Sequence, residues 1–296
     1  MASLLRGIQN RDDIEILHQS LRCMPKELEP LYRHLLALIE PVYLSWASKA
    51  FQIVCTHRDN FSGVAWPGCS ECLKITDKDL TVLTLRLAIS ETINVDVKPD
   101  NVCILEHVSP TISHQLTDDS LLSGCENTKV QLTARCAGLL EVPEFEQRGL
   151  KATIEYLHRT ARDFIENEKN WQEILQHTLD TAFRPDISIM RASLLQLGIR
   201  CSFQNTTSQG VCDLAHCVLL KAHRVDLQLQ QRNETANTIL EDMARIMTTW
   251  DAVRKLSREY TKEYKASHWT SRLIGDIDVP EDWKVTNLLH LQQYTA

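Results

Sequence analysis

Apolar residues recur every three or four positions over much of the chain, the spacing of amphipathic helices. Over residues 1–58 this pattern predicts a helical segment in which Pro25 and Pro41 lie at helix starts. Each predicted helix would bury one stripe of apolar side chains. The four stripes are Leu4, Leu5 and Ile8; Ile14, Leu17 and Leu21; Leu28, Leu31, Leu35 and Leu38; and Leu44, Ala47, Phe51 and Val54.

The pattern weakens over residues 59–126. Residues 59–75 have no period and predict an exposed loop. Helical spacing returns over Thr76–Ile89, where Thr76 and Asp79 resemble a capping box. Residues 90–127 are polar and irregular, and Val102–Leu105 is their only strand candidate. We therefore interpret residues 59–126 as an insertion and a partly helical linker.

The period changes twice between residues 127 and 166. Val130, Ala134 and Ala137 lie on one face of a predicted helix, which Gly138 would end in a left-handed cap. Two strands are predicted next, over Leu139–Val142 and 153–158, joined by a polar link.

Helical spacing then resumes, because Leu157, Ala161, Phe164 and Ile165 fall on one face. The order of helix, two-stranded wing and helix is typical of a winged helix. We assign residues 127–168 to the end of such a region.

From Trp171 onward the pattern predicts only helices, which would form a C-terminal bundle over residues 169–296. The fold class expected for the whole chain is mainly α: an N-terminal helical segment, a winged-helix region with a small two-stranded wing, and this bundle. The predicted stripes of the bundle are Ile187, Met190, Leu194 and Leu197; Val211, Leu214, Ala215, Val218, Leu219, Ala222 and Val225; and Ile239, Met243, Ile246, Met247, Trp250 and Val253.

Composition narrows the classes of function. The 296 residues are 43% hydrophobic and carry a formal charge of −7, so the chain has no general attraction for nucleic acid or anionic lipid. No apolar run approaches the roughly 18 residues of a membrane span, and no secretory signal is evident. We expect a cytoplasmic protein that binds neither nucleic acid nor membrane. Its ten cysteines are then interpreted as reduced, mostly buried thiols.

Two groups of cysteine and histidine residues have spacings found in metal sites. Cys69 and Cys72 form one C-x-x-C half-site, but no second pair lies at the expected distance. Cys212, His216 and Cys217 fall on an apolar stripe, where buried thiols are the simpler interpretation. The sequence therefore predicts no metal site.

Three segments resemble one protein family. They are similar to the region downstream of the NACHT nucleotide-binding module in fungal signal-transducing NTPases of the STAND class: a helical segment, a winged helix and an uncharacterised helical domain. The matching segments are MPKELEPLYRHLLALIEPVYLSWASKAFQIV (24–54), QLTARCAGLLEV (131–142), and IEYLHRTARDFIE (154–166) followed by FRPDISIMRASLLQL (183–197).

The resemblance implies a role for His158, the histidine of the wing. In the family this residue is expected to reach the phosphates of a bound nucleoside diphosphate and hold the winged helix against the NACHT module. The residues add a physical argument, because His158 lies at the first turn of a predicted helix, where anions are stabilised. Arg159 and Arg162 would add positive charge. In the alternative interpretation His158 packs in the wing and Arg162 pairs with Glu166.

The chain departs from the family in lacking a P-loop, since it contains no Gly-Lys pair. We therefore expect it to correspond to the portion that follows the NACHT module, as a fragment or a stand-alone copy. We expect no catalytic residues, no cofactor and no enzymatic activity. The predicted function is that of a regulatory and interaction region whose partners are an adjoining or separate NACHT module and other proteins.

Winged helices most often bind DNA, which supplies the alternative function. The candidate recognition helix, residues 127–138, carries only Lys129 and Arg135 as cations. Because DNA binding needs a cationic face, the charge distribution disfavours it.

Overall fold

The computed structural model describes residue 15 and residues 27–59, 80–90, 118–202, 208–229 and 234–256. The chain divides into two compact units. The first, called here the winged-helix unit, comprises the described part of Met1–Thr56 together with Leu80–Ile89 and Leu121–Phe183. The second contains the described part of Arg184–Ala296, called here the C-terminal bundle. Domain bounds at residues 58, 126 and 168 stay a prediction.

Two helices open the described part of the winged-helix unit. Helix α1 (Leu28–Ala37) is followed by a 3-10 turn at Pro41–Tyr43 and by α2 (Leu44–Asp59), so Pro41 begins a helical segment as predicted. The stripe predicted for α2 is confirmed at Ala47, Phe51 and Val54, all buried.

The stripe predicted for α1 is wrong at its two ends. Leu28 is 53% exposed and Leu38 is 39% exposed, whereas Tyr32, Leu35 and Ile39 are buried. The buried face of α1 is therefore centred on Tyr32 and not on the leucines, because Tyr32 contacts residues on a distant helix. The leucine spacing alone does not contain that information.

Helix α3 (Val82–Ile89) begins later than the predicted Thr76. Leu80 and Thr81 are not helical, and the Thr81 hydroxyl accepts a hydrogen bond from the Thr84 backbone N–H at 3.2 Å. Thr81 therefore caps this helix. The capping box proposed at Thr76 and Asp79 lies outside the described residues.

Helix α4 (Asp118–Arg135) corrects the face predicted around Val130. Val130 is 62% exposed and Ala134 is exposed too, while Leu121, Cys125 and Leu132 are buried. Both sets of residues have helical spacing, and the buried set is the one that contacts the rest of the unit.

The wing follows α4 as predicted, with shorter strands. Ala137 (φ +52°) and Gly138 (φ +73°) are both left-handed, and the Gly138 N–H donates to the Thr133 carbonyl at 2.8 Å, so the helix ends in a left-handed turn that begins one residue before the predicted Gly138. Strands β1 (Leu140–Glu141) and β2 (Glu155–Tyr156) pair in antiparallel register. The link between them contains α5 (Phe145–Arg148) and a 3-10 turn at Gly149–Lys151.

A third extended segment joins the wing from before α3. Thr81 forms an antiparallel bridge with Thr153. The Ile154 N–H donates to the Leu80 carbonyl at 2.8 Å, and the Val82 N–H donates to the Ala152 carbonyl at 2.9 Å. The sequence does not predict this pairing, because each paired segment is very short and has helical spacing beside it. Among the described residues, α2, this edge segment, α3, α4 and the hairpin follow one another in the order typical of a winged helix.

Helices α6 (Arg159–Ile165) and α7 (Glu168–Leu175) complete the unit, and a 3-10 turn follows at Gln176–Thr178. A buried polar cluster, called here the Ser48 cluster, links α2 to this end. The Ser48 hydroxyl donates to the Ile174 carbonyl at 2.7 Å. The Gln52 side chain donates to Ser48 at 3.0 Å and to Thr178 at 2.7 Å.

Three long helices form the C-terminal bundle: α8 (Pro185–Ser202), α9 (Ser208–Leu229) and α10 (Glu234–Leu256). The apolar residues predicted to line them are buried in one core, except that Leu214 is partly buried and packs against it and that the side chain of Val253 lies outside the described part. Lys221 is buried beside them and donates to the Ser193 hydroxyl at 2.9 Å. The predicted fold class, mainly α with a small wing and a helical bundle, is confirmed.

Some sequence predictions fall outside the described residues. These are the two helices predicted before residue 27, of which only residue 15 is described, the loop with Cys69 and Cys72, the strand candidate Val102–Leu105, and the weakly patterned tail after residue 268. Among the helices that are described, none is long and apolar enough to cross a membrane.

Candidate functional site

His158 lies where β2 ends and α6 begins, and it is the N-cap of α6. Its backbone is extended (φ −159°, ψ 155°), and its side chain accepts a hydrogen bond from the Thr160 backbone N–H at 3.2 Å. The residue is exposed. The expected position is thus confirmed: the ring caps a helix at the end of the wing and is open to solvent.

This contact favours one of the two neutral forms of the imidazole. The ring atom that accepts from Thr160 is Nδ1. A nitrogen that accepts a hydrogen bond carries no proton, so this contact favours the neutral form that holds its proton on Nε2. Nε2 of His158 is then a hydrogen-bond donor, which suits an anionic oxygen.

Helix α1 supports the same corner of the molecule. The Tyr32 hydroxyl lies 2.6 Å from the Thr160 hydroxyl, which lies 2.9 Å from His158 Nδ1. The Tyr32 ring also contacts the Phe164 ring at a centroid distance of 5.6 Å. The guanidinium of Arg33 lies 6.0 Å from the centre of the same Phe164 ring. Residues from α1 and α6 therefore pack together beneath the imidazole.

The two arginines proposed beside His158 are on α6, and both contact one carboxylate. Arg162 pairs with Asp163 at 3.0 Å, and Arg159 pairs with Asp163 at 3.6 Å. The expected partner of Arg162 in the alternative interpretation was Glu166, whereas the ion pair found is with Asp163. Arg159 is 79% exposed at its side chain, so its contact is a solvated one of small energetic value.

The N-terminus of α6 offers less to a phosphate than the sequence suggested. Helix α6 has seven residues, and the Thr160 N–H already donates to His158 itself. Asp163 offsets part of the charge of Arg159 and Arg162. An anion would therefore be recognised mainly by the imidazole Nε2–H.

Sequence reasoning missed Tyr32, Thr160 and Asp163. Asp163 lies four residues after Arg159, a spacing that could have indicated the ion pair. Thr160 could have been identified from its position two residues after the cap. Tyr32 gave no signal, because it is separated from Thr160 by 128 positions.

Residues 38–209 match DUF7791, which is described as a domain of unknown function. The chain belongs to the DUF7791 family. The matched region contains the whole wing, His158, Arg159 and Arg162. No curated protein and no solved structure matches the chain.

Within the DUF7791 region, both cations of the candidate DNA-recognition helix α4 contact other residues of the protein. Lys129 pairs with Glu146 at 2.5 Å and lies 5.1 Å from the centre of the Phe145 ring. Arg135 lies 4.9 Å from the Tyr43 ring centre and 5.0 Å from that of Trp46. Both side chains would have to leave these contacts to reach phosphates, which adds a second argument against DNA binding to that from net charge.

The described cysteines of this DUF7791 protein are buried or partly buried: Cys125, Cys136 and Cys217 are buried, and Cys55, Cys201 and Cys212 are partly buried. Cys136 is fully buried, and this burial raises the pKa of its thiol. Burial also raises the pKa of Cys125, partly offset by Arg86. Cys217 is buried in the bundle, with Cys212 packed against the same core. Over the described parts of the chain, no group of three or more His, Cys, Asp and Glu residues could hold a metal ion.

Proposed function

We propose that this DUF7791 protein is a non-catalytic regulatory and interaction region of a cytoplasmic NACHT-containing STAND-type NTPase, of the kind that it resembles in fungi. Its winged-helix unit would hold a nucleotide-binding module in the ADP state. The observation that carries the proposal is the exposed imidazole of His158, whose Nε2 is left as a donor by the helix cap.

The chemistry of this ring suits a nucleotide phosphate. An Nε2–H donor can bond a phosphate oxygen without requiring the ring to be charged. Arg159 adds a cation on the same short helix, although Asp163 shares it. His158 lies between β2 and α6, so its backbone is held on both sides. The ring can therefore act as a fixed contact.

The mechanism would be conformational. With ADP in the module, His158 would bond the terminal phosphate and the winged-helix unit would stay docked. Exchange of ADP for ATP would change the position and charge of that phosphate group, which would weaken docking and free helical surfaces for other proteins. The contribution of His158 is limited to the difference in its affinity for the two nucleotide states.

The experiment measures binding of the 296-residue chain to the NACHT-type module encoded nearest to it, loaded with ADP or with a non-hydrolysable ATP analogue. Titration calorimetry should give tighter binding to the ADP form. His158→Asn is the informative variant, because Asn keeps an N-cap while removing the imidazole. It should remove the preference for ADP without changing the melting temperature appreciably.

The matched control is His177→Ala, which removes an exposed histidine from the 3-10 turn at Gln176–Thr178. This variant should bind like the wild type. Equal binding to both nucleotide forms, or an unchanged preference in His158→Asn, would contradict the proposal. Binding of duplex DNA that weakens steeply with salt would favour the alternative function instead.

A further inference from the structure

The hydroxyl of Tyr32 is a buried polar group joined to the candidate site. Tyr32 is 5% exposed, and its hydroxyl oxygen lies 2.6 Å from that of Thr160. The Thr160 oxygen lies 2.9 Å from His158 Nδ1. Three side chains thus form a continuous hydrogen-bonded chain from inside the unit to its surface.

The direction of these hydrogen bonds follows from the protonation of His158 Nδ1, at the surface end of the series. In the ring form that the Thr160 N–H favours, Nδ1 is unprotonated and accepts from the Thr160 hydroxyl as well. The Thr160 proton is then directed at the imidazole, so its oxygen accepts from Tyr32. Tyr32 donates to Thr160, Thr160 donates to Nδ1, and Nε2 is left to donate outward.

We propose that Tyr32 and Thr160 are positioning residues that hold the His158 ring in its Nε2–H form, with that donor directed at a phosphate oxygen of the partner. The use of the donor rests on the function proposed above, whereas the state of the ring does not. Holding a donor in its bound form before a partner arrives reduces the ordering cost of binding.

A purely packing role for Tyr32 makes a different prediction. Its ring contacts Phe164 at 5.6 Å, and this contact remains in Tyr32→Phe. That variant removes only the hydroxyl. If packing were the whole role, the imidazole would be unaffected. In the proposed arrangement, Thr160 loses the donor that orients it, and its own proton can turn away from Nδ1.

The test is nitrogen NMR of the full chain labelled at histidine, recorded where His158 is neutral. The wild type should show the single Nε2–H form. Both variants keep the Thr160 backbone N–H, so Tyr32→Phe and Thr160→Val should each show a signal from the Nδ1–H form beside the remaining Nε2–H signal, and Thr160→Ser should restore the wild-type spectrum. Tyr43→Phe is the matched control, since it removes a hydroxyl from a ring that contacts Arg135 and not His158.

Wild-type spectra from both Tyr32→Phe and Thr160→Val would overturn the positioning role. If Tyr32→Phe lowers the melting temperature too far, the Thr160→Val and Thr160→Ser pair decides the question. Binding of the ADP-loaded module separates the two proposals. A spectral change with no module binding in the wild type leaves the positioning role standing and contradicts the proposed function.

Where the wild type binds the module, Tyr32→Phe should weaken binding severalfold and His158→Asn should remove the ADP preference. Unchanged binding in Tyr32→Phe despite an altered ring would contradict the functional half of the positioning proposal.

Discussion

The winged-helix unit and the C-terminal bundle solve the problem of burying helices in different ways. In the bundle, α8, α9 and α10 follow one another and cover each other with apolar stripes. In the winged-helix unit, a polar cluster lies in the interior and joins residues far apart in the sequence: Ser48 and Ile174 are separated by 126 positions. Lys221 and Ser193 in the bundle are separated by 28. The bundle depends on its own local pattern, and the winged-helix unit depends on specific distant partners.

The largest expected effect comes from cutting into the bundle's apolar core. Leu194 is fully buried there, and Leu194→Ala should lower the free energy of unfolding by about 3 kcal/mol through lost burial and a cavity. Urea unfolding followed by circular dichroism measures it. The control is Val130→Ala on α4, where the side chain is 62% exposed and the change should be below about 0.5 kcal/mol. Equal losses from the two variants would contradict the burial assigned to each.

A smaller loss is expected from the Ser48 cluster. Ser48→Ala removes the buried hydroxyl that donates to the Ile174 carbonyl and accepts from Gln52, and the loss of these two hydrogen bonds should cost about 1 to 2 kcal/mol. Thermal unfolding gives the value. Thr133→Ala is matched to it, because it removes an exposed hydroxyl that donates to a backbone carbonyl four residues earlier. If Ser48→Ala proves no more costly than Thr133→Ala, the polar cluster does not stabilise the unit.

The smallest effect concerns Lys129 and Glu146 at the surface of the winged-helix unit. The hydrogen bond from Lys129 lowers the pKa of the Glu146 carboxyl, so Lys129→Met should raise that pKa toward its ordinary value. The wild-type pair stabilises the fold above the unfolded-state pKa of roughly 4.3. That contribution is lost as the pH falls through the lower folded-state pKa.

Carbon NMR of the Glu146 carboxyl against pH measures this change. Arg148→Met is the control, because Arg148 pairs with Glu144 at 2.8 Å and not with Glu146. It should leave the Glu146 titration where it is in the wild type. A Glu146 titration unmoved by Lys129→Met would mean that the Lys129 contact has no electrostatic effect in solution.

The same contrast explains how far the sequence could be interpreted. The bundle core was predicted almost residue by residue, because adjacent helices with regular stripes have few alternative partners. The wing was predicted from a change of period, and Gly138 marked the end of its helix. The faces of α1 and α4 were partly wrong, since Leu28 and Val130 satisfy helical spacing as well as the buried residues do.

The candidate site also has a part that the local sequence predicts and a part that depends on distant contacts. His158 could be placed because its cap lies within a local pattern. Its support could not, because Tyr32 reaches Thr160 only after the distant α1 and α6 pack together. The pairing of Thr81 with Thr153 was missed for the same reason, since a single bridge leaves no alternating pattern.

The separation of 126 positions between Ser48 and Ile174 has a consequence for folding during synthesis. Helix α2 leaves the ribosome well before the residues that complete its polar contacts, so it must wait for them with apolar surface uncovered. The described bundle helices α8, α9 and α10 follow one another closely in the sequence, so they should pack quickly once α10 has been made. Helices α1 and α2, by contrast, stay without their distant polar contacts until the residues up to Thr178 have been made.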